Sequence, residues 1–241
     1  MRQRIVSITI IIAVFGGLFA LFIYNAIYGS KIDTTVWNDQ MTVGDISTAK
    51  YHYTMYTDIF CPYCDKFSDA VTAHWDEFKS DYIDNKGVFF EIRITDMNYE
   101  AGHSNNSRPA GEGAYCAAKQ EKFWDYYHGI LNKLYEDYHS KGIGVDKTSP
   151  RIPDLEMSYF YDIADEAGLD HDKFVSCMEN HETADELDKN TRRASAVVGG
   201  GVPYFTFGNF TTSGFAGKFD SEEYDWKQAK AMLDAGLSEQ N

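Results

Sequence analysis

Tyr51-His52-Tyr53-Thr54-Met55-Tyr56-Thr57-Asp58-Ile59-Phe60-Cys61-Pro62-Tyr63-Cys64 decides the architecture, because an extended run leads straight into two cysteines separated by two residues. Residues 51–57 are rich in aromatic and β-branched side chains, which suit the pleated surface of a strand. After Cys64 the period changes: Phe67, Val71, Trp75 and Phe78 recur every three or four residues, the stripe of an amphipathic helix. Pro62 fits its first turn, where a missing N–H removes no helical hydrogen bond. Asn85-Lys86-Gly87 then turns the chain into a second strand, Val88-Phe89-Phe90-Glu91-Ile92-Arg93-Ile94. Strand, helix and strand within about 45 residues make a βαβ unit, whose strands lie parallel and whose crossover is right-handed.

Downstream, a helical insertion is expected at about 105–198. Cys116, Phe123, Tyr127, Leu131, Leu134 and Tyr138 share one face of one or two helices, and a loop with Gly142, Gly144, Pro150 and Pro153 follows. A second amphipathic helix from Leu155 to Ala167 stops at Gly168, placed as a C-cap. Asp170 is placed to cap a short helix carrying Phe174 and Cys177, and another helix, Ala184 to Val198, ends at Gly199-Gly200-Gly201. Tyr204-Phe205-Thr206-Phe207 and Thr211-Thr212-Ser213 flank Gly208-Asn209, a hairpin signal. A last helix runs through Trp226, Ala229 and Leu233. The order β, α, β, helical block, β, β, α is that of an α/β fold.

Upstream, Arg2 and Arg4 precede a run from residue 5 to 28 almost without charge. A bilayer core needs about 20 apolar residues, so the run is long enough to span it, with the basic end kept in the cytoplasm. A cleaved signal peptide would have a shorter apolar run of about 7–15 residues and a small-x-small site; here the run ends Tyr24-Asn25-Ala26-Ile27-Tyr28. Residues 1–28 are therefore expected to form a transmembrane anchor, 29–50 a tether with one packed piece around Val36-Trp37, and 51–241 the exported domain. Of 241 residues, 44% are apolar, enough for a real core, while the net charge of −15 excludes nucleic acid as a partner, which needs a basic footprint.

The chemistry lies at the cysteines. A thiolate is the nucleophile of thiol–disulfide exchange, and a helix N-terminus favours that anion. Cys61 stands at the mouth of the expected helix as the attacking, exposed sulfur, with Cys64 placed to resolve a mixed disulfide. A zinc site would need four ligands, but Cys116 and Cys177 are isolated and no histidine pair follows at finger spacing, so no metal is expected. Closing so small a ring also removes little chain entropy, which makes a purely structural Cys61–Cys64 disulfide a poor reading.

Together with Gly201-Val202-Pro203-Tyr204-Phe205, the strand–Cys-Pro-Tyr-Cys–helix junction resembles the thioredoxin superfamily, and in particular the DsbA-like thiol:disulfide oxidoreductases with a helical insertion. The resemblance runs from about Tyr51 to Leu237, on Asp58 to Cys64, Ala117 to Trp124, and Val202-Pro203. It implies a thioredoxin fold, a cis Pro203 facing the two sulfurs, and substrate contacts from Val202, Pro62 and Tyr63. It implies no cofactor beyond the Cys61–Cys64 disulfide itself. The expected activity is oxidation of thiols in exported proteins at the outer side of the cell membrane, with reoxidation by a quinone-linked membrane partner. A reductase or isomerase on the same fold, and a redox-inactive peptide-binding module, are the alternatives. Two departures bear on oxidising power: Met55 stands where the family often has an acid six residues before the first cysteine, and Tyr63 stands where DsbA proteins have histidine. Outside the cytoplasm an even number of thiols favours pairing, and similar DsbA-like proteins sometimes carry a second disulfide. Cys116 and Cys177 are thus expected to pair as a structural disulfide, the alternative being two buried thiols.

Overall fold

The computed structural model describes residues 35–198, 201–208, 210–215, 217–219 and 222–238. The expected anchor at 1–28, residues 29–34 of the tether, Gly199-Gly200 and Asn209 lie outside them. Among the described residues no helix is long and apolar enough to cross a membrane.

Five strands form one mixed sheet. They are β1 (Thr42–Val43), β2 (Tyr51–Thr57), β3 (Val88–Ile94), β4 (Tyr204–Phe207) and β5 (Phe210–Ser213), in spatial order β1-β3-β2-β4-β5. β2 and β3 are parallel, Tyr51 opposite Val88 through Thr57 opposite Ile94, while the other pairs are antiparallel. The two-residue side-chain period gives the sheet two chemically different faces. Tyr53, Met55, Phe90, Ile92, Phe205 and Phe207 share the apolar one. Thr54, Tyr56, Glu91, Arg93 and Thr206 share the other.

The apolar face receives α1 (Pro62–Ala73), whose Phe67 ring meets Phe205 edge-on at 4.8 Å. The expected single helix from Cys64 to Phe78 is in fact interrupted. His74 leaves helical geometry (φ −117°, ψ 33°) and stacks on Trp226 at 5.0 Å, after which α2 (Trp75–Phe78) and a π-helical turn, Lys79–Asn85, complete the crossover. α9 (Glu222–Ser238) lies on the same side, close enough that a Cβ on Gly236 would come within 2.4 Å of the Phe207 ring.

After β3 the chain makes α3 (Met97–Glu100) and then the helical insertion. Its helices are α4 (Ser107–Ala118), α5 (Phe123–Asp137), α6 (Met157–Glu166), α7 (His171–Glu179) and α8 (Ala184–Val197). Gly168 ends α6 at φ +74°, and the Asp170 carboxylate accepts from Lys173 N at the start of α7. Gly113 explains how tightly α4 and α5 pack, because a Cβ there would lie 2.5 Å from the Tyr126 hydroxyl.

The expectation of a tether over 29–50 is corrected from residue 35 onward. Asn38 caps a 3-10 turn, Asp39–Met41, and β1 pairs with the edge of β3. Trp37 is the cause. The Arg93 and Arg193 guanidiniums lie over its ring at 4.4 and 4.2 Å from the centroid, and its backbone N–H donates to Glu91 Oε1 at 2.7 Å. Aromatic–cation contact and a charge-assisted hydrogen bond fix the segment on the polar face of the sheet.

Candidate active site

The active-site cysteines follow from the junction of β2 and α1. Cys61 is the N-cap of α1, in extended geometry, and Pro62 opens the first turn. Cys61 O accepts from both Cys64 N (2.9 Å) and Asp65 N (3.0 Å), so the two cysteines lie one helical turn apart on the same helix end. Both are free thiols. From 141 residues away the chain returns with the cis Val202–Pro203 peptide, and the Cys61 thiol donates to Val202 O at 3.4 Å. Gly214 N bonds Pro203 O at 2.9 Å, which ties this loop to the hairpin strand behind it.

The sequence reading of Cys61 as an exposed sulfur is corrected: only 5% of the residue is accessible, and Cys64 is completely buried. Cys61 instead forms part of the wall of a cavity of about 350 Å3. Phe60, Pro62 and Tyr63 continue that wall, and the loop after α5 closes its far side with Gly144, Asp146, Lys147, Ser149, Arg151 and Ile152. Burial, and then the Cys61 thiol beside it, push the Cys64 thiol well above its ordinary range. Cys64 thus keeps its proton when the pair is reduced.

Met55, at the position where the family often has an acid, is completely buried in the apolar face. Asp58 does not take its place. Its carboxylate accepts from Phe60 N (2.9 Å), Asn98 N (2.8 Å) and Ser107 Oγ (2.8 Å), joining β2, α3 and α4 behind the cysteines, and none of these bonds goes to a sulfur. Burial pushes its pKa up to about 6, against the pull of those three donors. A folded pKa above the unfolded value of about 3.9 gives stability that is full below pH 4 and lost as pH rises through 6, roughly 3 kcal/mol at most. Urea unfolding across pH 4 to 7 should show this loss in the wild type, and Asp58→Asn should remove the part that falls between about pH 4 and pH 6. A pH profile unchanged by Asp58→Asn would place the titration elsewhere.

A second buried pair closes the floor of the cavity. His139 Nε2 lies 3.1 Å from Asp65 Oδ2, and His139 Nδ1 lies 3.1 Å from Ile143 O. A carbonyl only accepts, so Nδ1 carries a proton. Burial lowers the His139 pKa and raises that of Asp65 well above the usual carboxylate range. The hydrogen bond at 3.1 Å places one proton between Nε2 and Asp65 Oδ2, and whichever of the two atoms holds it this pair adds no net charge to the cavity.

The structure thus brings Cys61, Cys64, Pro62, Tyr63, Val202 and Pro203 to one place. Cys116 and Cys177 lie elsewhere, joining α4 to α7 by a disulfide of 2.00 Å. Among the described residues no group of three or more histidine, cysteine or acidic side chains could hold a metal ion. Asp65, His139, Lys147 and Arg151 were not singled out by the sequence. Asp65 and His139 are separated by 74 residues, and no periodicity or motif links them.

Comparison with known proteins bears on this arrangement. The family model for thioredoxin matches residues 37–234. The oxidised form of BdbD from Bacillus subtilis is similar over 83% of this chain and 93% of its own, with a TM-score of 0.58 and 15% identity. DsbA from Chlamydia trachomatis is similar over 84% of this chain and 97% of its own (TM-score 0.53, 19% identity). A thioredoxin-like oxidoreductase from Silicibacter pomeroyi DSS-3 is similar over 82% and 91% (TM-score 0.54, 17% identity). At these identities the likeness is one of fold. No curated protein matches the chain by sequence.

Proposed function

The chain belongs to the thioredoxin family of thiol:disulfide oxidoreductases and carries its DsbA-like fold, and on that premise we propose that it oxidises the thiols of exported proteins. The observation that carries the reading is the meeting of Cys61, at the N-cap of α1, with the Val202 carbonyl on the cis-proline loop. An extended substrate running along Val202 has its cysteine at the Cys61 sulfur.

In the oxidised enzyme a substrate thiolate attacks Cys61 Sγ. The Cys61–Cys64 bond breaks, and Cys64 leaves with the electron pair and takes a proton in its buried site. A second substrate thiolate attacks the substrate sulfur of the mixed disulfide, and Cys61 leaves with that electron pair. The substrate has lost two electrons, which the cysteine pair has gained; of the two thiol protons one ends on Cys64 Sγ and the other passes to solvent, because Cys61 leaves as the thiolate. Reoxidation requires an electron acceptor of the quinone-linked membrane type. The apolar run at 5–28, outside the described residues, supports a membrane anchor with the domain on the extracytoplasmic side.

The oxidising direction rests on the departing Cys61 sulfur, which leaves at the open N-terminus of a helix where backbone N–H groups favour negative charge. Val202 before the proline supports the same direction by family resemblance. The reduction potential tests it: a value well above that of thioredoxin, about −270 mV, toward the oxidising range of about −120 to −200 mV is expected. A potential near that of thioredoxin would instead make the protein a reductase.

A further inference from the structure

Because Cys61 is nearly closed off, a substrate that reaches it brings its neighbouring residues to the cavity beside it, whose character therefore selects substrates. Its volume of about 350 Å3 gives room for a side chain or two flanking the substrate cysteine. Phe60, Tyr63 and Ile152 supply the apolar part of its lining. The floor pair Asp65–His139 adds no net charge, as argued above. Asp146 is anionic, but its Oδ1 is already engaged by Thr148 N, Thr148 Oγ1 and Ser149 N.

Against this background stand two cations, Lys147 and Arg151, four residues apart on the loop after α5. Both line the cavity, both are exposed, and neither has an ion-pair partner among the described residues. Their loop is held in place. Gly144 N bonds Pro150 O at 2.8 Å, Ser149 Oγ accepts from Val145 N and Asp146 N, and buried Asn106 bonds both Pro153 O and Leu155 N at 2.9 Å. A fixed loop displays its charges without a large ordering cost when a ligand arrives.

We propose that this cavity recognises a side-chain carboxylate one or two residues from the substrate cysteine, so that Lys147 and Arg151 make acidic thiol segments the preferred substrates. The inference rests on the thiol-oxidising reading above and adds its substrate class. It also runs against the long-range field of a chain with net charge −15, so the preference comes from the two local cations and not from steering by the whole surface.

The test uses the full-length oxidised chain and three cysteine peptides identical except for one residue beside the cysteine, which is Glu, Gln or Lys. Second-order rates of thiol oxidation are expected to rank Glu over Gln over Lys. The Glu-to-Gln ratio should be about fivefold, the size that one or two solvent-screened ion pairs supply, and should shrink as salt is raised. The double variant Lys147→Gln/Arg151→Gln should bring the three peptides within twofold of one another, and Lys147→Glu/Arg151→Glu should reverse the order. Equal rates for the Glu and Gln peptides with the wild-type chain, or a preference that survives the double variant, overturns the inference while leaving the oxidase reading standing. If no peptide is oxidised, that reading falls and the inference with it.

Discussion

Cys61→Ser and Cys64→Ser are each expected to reduce oxidation of a reduced model protein to the uncatalysed rate, since neither can hold the Cys61–Cys64 disulfide that a substrate thiolate attacks, but only Cys64→Ser should still capture thiols. The two outcomes differ because the two sulfurs differ in position. Cys61 borders the cavity and touches Val202 O, so it is the atom a substrate thiolate meets. A serine there cannot form the disulfide that is attacked, and the whole two-electron exchange is lost. Cys64 is fully buried one helical turn further in. With serine at 64 the Cys61 sulfur still forms mixed disulfides with small oxidised thiols, but no resolving thiol stands behind it. Mass spectrometry under non-reducing conditions should show a persistent Cys61 adduct in Cys64→Ser and none in Cys61→Ser. No oxidation by the wild-type chain, with Cys61→Ser changing nothing, would reduce the fold to a peptide-binding module.

How far the site was legible in the sequence follows from what holds each part. The βαβ unit announced itself because Tyr51 to Thr57 and the Phe67–Val71–Trp75 stripe are local signals, set by periods of two and 3.6. Gly168 and Asp170 at the ends of α6 and α7 are local for the same reason. The break at His74 was not legible, since the ring that stacks on it, Trp226, arrives from the last helix. Nor was the shielding of Cys61. The loop on the far side of the cavity carries Gly142, Gly144, Pro150 and Pro153 and no periodicity, so its shape depends on Asn106, which bonds Pro153 and Leu155 from the N-terminus of α4. Around Val36-Trp37 a packed piece was legible, but the pairing of residues 42–43 with β3 was not, because the composition there is mixed and polar and the partners that dock Trp37 lie more than fifty residues downstream.

Those partners carry the largest expected effect on stability. Glu91→Ala should destabilise the domain by about 3–5 kcal/mol, the cost of leaving a buried charge without its partner. Arg93 is completely buried, and its guanidinium donates to Glu91 Oε2 (2.8 Å), Tyr56 OH (2.7 Å) and Thr35 O (2.7 Å). Glu91 in turn accepts from Trp37 N and meets His52 Nε2 at 3.2 Å. Removing the carboxylate therefore strands the cation and releases the N-terminal segment at once. Burial pushes the Glu91 pKa up, but its bonds from His52, Arg93 and Trp37 outweigh this and leave it below its ordinary value. A depressed carboxylate stabilises above its unfolded pKa of about 4.3 and loses that contribution as pH falls through the folded value. The variant should accordingly lose most at neutral pH and show a flatter acid limb than the wild type in urea titrations. Limited proteolysis should also cut first between residues 35 and 43. Replacing both charges together, as Glu91→Leu/Arg93→Met, should recover much of the loss, since an apolar pair leaves no buried charge behind. A change below about 1 kcal/mol in Glu91→Ala would mean that water reaches the Arg93 guanidinium once its partner is gone, and the docked segment would then owe its place to the Trp37 ring alone.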